Sequence, residues 1–196
     1  MRRIGITGGI GAGKSLVCTL FELLGIPNYP ADARAKYLQT HDHELKSNIL
    51  KLFGEEAYLP GNRLNRAFIS KAVFSNTEKL QQLNQLVHPA VAKDFEKWCQ
   101  QYAEKPFVLK EAALLFESGS YKQLDATILV HAPETLRLER TLLRDEHRNE
   151  EEVRNIMANQ MDEKEKLQLA DYVIYNDESV SLIKQCVDLQ RLYNNS

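Results

Sequence analysis

A chain of 196 residues, 43% hydrophobic, suits one globular unit with room for a small insert. Its formal net charge of −2 gives no reason to expect a general polyanion binder, so nucleic acid is not an expected partner. Cys18, Cys99 and Cys186 show no metal-ligand spacing and read as reduced thiols, no apolar run approaches membrane-spanning length, and the chain starts on a strand with no room for a signal peptide, so the expected location is cytoplasmic, without a membrane partner.

The opening stretch runs Met1-Arg-Arg-Ile-Gly-Ile-Thr-Gly-Gly-Ile-Gly-Ala-Gly-Lys-Ser15. Ile4 and Ile6 mark a short apolar strand, and Gly8, Gly13, Lys14 and Ser15 fit GxxxxGK[ST]. A helix-forming run, Leu16 to Leu24, follows and Gly25 can end it. Strand, glycine loop and helix are the context that a phosphate-binding loop requires. Glycines let successive backbone N–H groups curl around phosphate oxygens, and the helix N-terminus adds partial positive charge. The candidate ATP-binding residues are therefore Gly9, Ile10, Gly11, Ala12, Gly13, Lys14, Ser15 and Leu16. Lys14 would reach the outer phosphates, and the Ser15 hydroxyl would hold Mg²⁺. A turn that merely caps a helix has no need of the Lys-Ser pair.

Pro27 and Pro30 allow at most a short irregular strand before Asp32, which opens a helix-forming run over 33–38. Residues 41–102 show no strand alternation and read as amphipathic helices over 44–53, 66–74, 79–87 and 90–102. Their breaks are Gly54, Pro60-Gly61-Asn62, Ser75-Asn76-Thr77 and His88-Pro89. Strands return over 106–111 and 126–131. Pro133 starts a helix with a highly charged second half, helical segments follow over 150–161 and 163–170, and a last strand over 172–175 precedes a helix over 180–193. The alternation predicts an α/β fold with a doubly wound parallel sheet. Its core falls at about 1–40, 105–138 and 168–196, with a helical substrate-binding insert at about 41–104 and a lid at about 139–167.

A phosphate loop alone does not separate kinase from switch protein or motor. The guanine-selecting Asn-Lys-x-Asp of switch proteins is missing from the late strands, which end in Val130-His131-Ala132 and Tyr175-Asn176-Asp177. A small-molecule kinase needs a triphosphate site, an acceptor pocket and a basic cover, and all three have candidates. Asp32 follows the second strand, at the edge where parallel sheets bind ligands, and would orient or deprotonate an acceptor hydroxyl; the alternative is a helix cap. Glu111 closes an apolar strand and would hold Mg²⁺ through water; the alternative is a solvated strand end paired with Lys110. Arg137, Arg140 and Arg144 share a helix face suited to phosphates, or else pair with Glu134 and Glu139 on a surface. His88 reads as a packed or capping residue unless it lines a site. Phe95, Trp98 and Tyr102 read as core.

Taken together, the chain resembles the dephospho-coenzyme A kinase family over nearly its whole length. The resemblance rests on Ile6-Thr-Gly-Gly-Ile-Gly-Ala-Gly-Lys-Ser15, Ala31-Asp32, Leu86-Val-His-Pro89 and Leu114-Leu-Phe-Glu117. It continues through Arg140, Arg144, Gln160, Ala170-Asp171-Tyr-Val-Ile174 and Asn176. It implies ATP-dependent phosphorylation of the ribose 3′-hydroxyl of dephospho-coenzyme A, in a nucleotide core with a helical substrate domain and a small lid. Asp32 then matches the acidic residue at the acceptor hydroxyl, Arg140 a lid arginine on phosphate, His88 and Glu117 the substrate side, and Asn176 the adenine side. The chain departs from the family where Glu111-Ala112-Ala113 replaces a common Asp-x-Pro and where Arg137 replaces a common Gln. Two rivals stay open: a nucleoside or nucleotide kinase with another acceptor, and a non-catalytic ATP-dependent binding protein. Oligomeric state is not readable from the sequence.

Overall fold

The computed structural model describes residues 1–74 and 76–194. In chain order the strands are β1 (Arg2–Thr7), β2 (Asn28–Pro30), β3 (Tyr58–Leu59), β4 (Arg63–Leu64), β5 (Phe107–Glu111), β6 (Ala126–His131) and β7 (Tyr172–Tyr175). The helices are α1 (Lys14–Leu23), α2 (Ala31–His41), α3 (His43–Phe53), α4 (Arg66–Phe74), α5 (Thr77–Gln100), α6 (Glu134–Arg144), α7 (Glu150–Ala158), α8 (Glu163–Leu169) and α9 (Leu182–Asn194). The chain divides into two compact units, one of Met1–Pro30 with Tyr102–Ser196, the other of Ala31–Gln101.

The first unit is built on a parallel five-stranded sheet in the order β2-β5-β1-β6-β7. β1 lies between β5 and β6, with Ile4 in register with Leu109 on one side and Ala126 on the other. Side chains alternate across a strand, so Ile4 and Ile6 join Phe107, Leu109, Ile128, Val130 and Ile174 in one buried cluster. Val17, Cys18 and Phe21 of α1 and Cys186 and Tyr193 of α9 belong to the same cluster. The opposite face is covered too: a Cβ on Gly5 would meet Leu115 at 2.6 Å and Leu124 at 2.7 Å. Coverage on both sides explains why these strands read as apolar runs rather than as alternating ones.

The second unit packs α2, α3 and α4 on α5. Arg34 of α2 grips Asp94 of α5 through two bonds of 2.7 and 2.8 Å, the paired geometry that guanidinium and carboxylate favour. Two expectations fail in this unit. The break at His88-Pro89 does not exist, because α5 is one helix of 24 residues with Pro89 inside it. Val87, Val91, Phe95 and Cys99 are buried at four-residue spacing across the proline, so a single apolar face holds the helix together. Pro89 and Gln85 are exposed, so the carbonyl that the proline leaves without a donor faces water. A small antiparallel hairpin, β3 with β4, also interrupts the helical run. Its turn uses Gly61 and Asn62, both at positive φ (78° and 66°). Of the expected break at Ser75-Asn76-Thr77, Asn76 caps α5 by accepting from the Lys79 N–H, and Ser75 lies outside the described residues.

Candidate active site

β1 ends at Thr7 and α1 starts at Lys14, so the loop between them sits at the carboxyl end of the central strand. The Lys14 ammonium folds back over the loop and donates to the Gly8 carbonyl at 3.3 Å. Asn176, just past β7, is buried and clamps the loop from the other side: its amide donates to the Ala12 carbonyl at 2.8 Å. Its own N–H donates to the His131 carbonyl at 2.7 Å, which seats it between the ends of β6 and β7. Gly13 permits the clamp, having φ of 91° and only 2.2 Å between a built Cβ and the Asn176 amide nitrogen. Gly13→Ala is therefore expected to lower ATP affinity by about tenfold or more, from left-handed strain plus a displaced Asn176. Calorimetric ATP affinity within twofold of wild type would show that the loop absorbs the side chain. Ser15 and Leu16 are exposed at the start of α1, Ala12 is buried, and Gly9, Gly11 and Ile10 complete the loop.

Glu111 ends β5, half-buried, in register with Ile6 of β1 and Pro30 of β2. Burial and then the Glu111 charge push the Cys18 thiol on α1 up to about 12, against the opposing charge of Lys14. Both charges thus act on the α1 side of the sheet, where the Ser15 hydroxyl also stands. A carboxylate and a hydroxyl are hard oxygen donors of the kind Mg²⁺ takes beside phosphates and water. Lys110, by contrast, is buried next to Glu111, and neighbouring strand residues emerge on opposite faces. Among the described residues no group of three or more His, Cys, Asp or Glu is arranged to hold a metal.

α6 brings its arginines to the loop in unequal ways. Arg140 donates to the Asn176 carbonyl at 2.9 Å and lies 3.7 Å from Glu178. Arg144 is more exposed and bonded twice to its neighbour Asp145, at 2.8 and 2.9 Å; that guanidinium holds the Asp145 carboxyl below its usual range. Arg137 is nearly buried against Gly9. Gln160, beyond α7, accepts from the Ile10 N–H of the loop at 3.0 Å.

Glu117 holds the segment that follows. It accepts from the Met161 N–H at 3.0 Å and pairs at 3.3 Å with Lys166 of α8, a side chain only 1% exposed. Glu117→Ala would strand that cation, so a loss of about 3 kcal/mol in unfolding free energy is expected in urea titration. A Glu117→Leu/Lys166→Met double variant should recover most of it, and equal losses in both variants would show that the pair is not the cause.

In the helical unit, Asp32 is exposed in the first turn of α2. Because α2 begins at Ala31, Asp32 stands inside the helix rather than before it, where a negative charge suits the helix dipole. His88 is exposed on α5.

The family model described as dephospho-CoA kinase matches residues 2–181 of this chain. The chain belongs to the dephospho-CoA kinase family. Within that family, a dephospho-CoA kinase of Bacteroides fragilis is 35% identical over 187 residues, covering 95% of this chain and 90% of its own. Among solved structures, TT1252 from Thermus thermophilus superposes with a TM-score of 0.86 at 33% identity, covering 100% of this chain and 98% of that one. A dephospho-CoA kinase from Campylobacter jejuni gives 0.72 at 26% identity, covering 98% of each chain. This dephospho-CoA kinase family member is thus a kinase with the phosphate-loop fold, and no helix among its described residues is long and apolar enough to cross a membrane.

Sequence reasoning gave Gln160, Glu163 and Lys166 no site role. Gln160 stood within the family resemblance, which was the signal available; the burial of Lys166 had none.

Proposed function

We propose that this chain transfers the terminal phosphoryl group of ATP to the ribose 3′-hydroxyl of dephospho-coenzyme A, giving coenzyme A and ADP. The observation that carries the proposal is the clamped phosphate loop, Lys14 on Gly8 and Asn176 on Ala12, in a chain matched to the family over residues 2–181. Between Gly9 and Leu16 the backbone N–H groups other than those of Ile10 and Ala12, which donate to Gln160 and to the Gly9 carbonyl, hold the phosphates together with the Lys14 ammonium. Asn176, already bound to Ala12, keeps the loop in shape beside the base. Ser15 and Glu111 would hold Mg²⁺, which when bound neutralises phosphate charge as it builds on transfer.

Asp32 takes the acceptor's 3′-hydroxyl proton or orients that hydroxyl in line. Arg140, with Arg144 nearby, covers the transferring group and keeps out water, which would compete as acceptor. His88 and Glu117 serve the substrate side, Glu117 through the segment it holds. The helical unit is read as the acceptor-binding domain and about 139–167 as the lid, a division suited to a two-substrate kinase. Cys18, Cys99 and Cys186 are buried and scattered through the chain, in keeping with a cytoplasmic enzyme.

The test is ADP release with Mg-ATP, with and without dephospho-coenzyme A, and the product's mass. Acceptor-stimulated release with one added phosphate is expected. Binding of ATP with no stimulation would reject the acceptor.

A further inference from the structure

Arg137 is a cation in an unusual position. It is 7% exposed, its Nε is buried with no hydrogen-bond partner, and Nη1 would lie 2.0 Å from a Cβ on Gly9. Glu163 Oε2 stands 4.0 Å from Nη2, beyond hydrogen-bond length, while the other oxygen of that carboxylate accepts from His131 Nδ1 at 2.8 Å. The neighbouring arginines of α6 are bonded, Arg140 to Asn176 and Arg144 to Asp145. A guanidinium held away from water with a distant, shared counter-charge is poorly compensated, and a dianionic phosphate would complete it.

The place where that phosphate would lie follows from the loop. Lys14, the residue that reaches the outer phosphates, ends 3.3 Å from the Gly8 carbonyl, one residue from the glycine that Arg137 covers. Both cations therefore flank the same end of the loop. A side chain at Gly9 would have to displace the end of that guanidinium.

We propose that Arg137 contacts the terminal phosphate of bound ATP, which supplies the close counter-charge that Glu163, 4.0 Å away and bonded to His131, does not. The proposal rests on the nucleotide-site reading above and adds a discriminating role: Arg137 makes the loop hold triphosphate more tightly than diphosphate, which favours ADP release.

The experiment is calorimetric titration of the full chain with Mg-ATP and with Mg-ADP, for wild type, Arg137→Gln and Glu163→Gln. Arg137→Gln is expected to lower ATP affinity by about tenfold or more while ADP affinity stays within about twofold. Glu163→Gln removes the competing carboxylate and is expected to raise the ATP-to-ADP affinity ratio by about threefold. This second variant reads the same contact if Arg137→Gln fails to fold. An arginine that only packs would shift the melting temperature in both variants and leave the ratio at its wild-type value, which overturns the proposal alone. Wild type binding neither nucleotide would overturn the nucleotide site together with it.

Discussion

A Lys14→Ala enzyme is expected to lose at least about a hundredfold in kcat, the range seen when one preorganised charge-stabilising donor is removed. The ammonium spans the start of the loop through its 3.3 Å bond to Gly8, so its loss takes away positive charge where the proposed function gathers the outer phosphates. No backbone group replaces it, because the loop N–H groups are dipoles rather than full charges. The melting temperature should hardly change, since the side chain is half-exposed and its bond is to a loop carbonyl. Coupled measurement of ADP release at saturating acceptor reads the effect. Turnover near that of wild type would remove the phosphate loop from the mechanism.

Asp32→Asn should be comparably severe for a different reason. The amide has nearly the shape of the carboxylate but cannot take a proton, so kcat is expected to fall by about 10²–10⁴. The KM for ATP should stay within a few-fold, because the proposed function puts the residue on the acceptor's side of the reaction. Stability should drop by under about 1 kcal/mol, the size of one charge on an exposed first turn. A flat kcat would show that Asp32 contributes only to starting α2. A matched rise in the KM for the acceptor, with kcat intact, would make it a binding residue instead.

The first unit was largely legible because its strands carry both kinds of signal at once. Ile4 and Ile6 before a glycine loop, and the apolar runs at β5 and β6, leave few alternatives once helices must cover both faces. β2 was visible only as a proline-bounded stretch, and it forms three residues of edge strand. The helical unit was less legible where local rules competed with packing. Pro89 is a strong local stop, yet four buried side chains on one face outweigh it. The charges were hardest. Lys166 and Arg137 are of residue types usually found on the surface, and their burial is decided by Glu117 and by Gly9 of the phosphate loop, both remote in sequence. Residue type tells that a phosphate-friendly cation is present. Only the fold tells which one is buried with its counter-charge at a distance.

The interruption of the sheet unit by residues 31–101 has a consequence for biosynthesis. β1 pairs with strands that begin at Phe107 and Ala126, so a nascent chain carries it without neighbours until well over half has been made. The helical unit is contiguous and can close while the ribosome is still extending the rest. Chains stalled after residue 101, with a linker filling the exit tunnel, are expected to show protease protection over α2 to α5 and none over 1–30. Protection of both at that length would mean that β1 finds shelter before its partners exist. β1 and the phosphate loop are thus made before the helical unit but complete their sheet after it, which leaves that strand in need of shielding from aggregation in the interval.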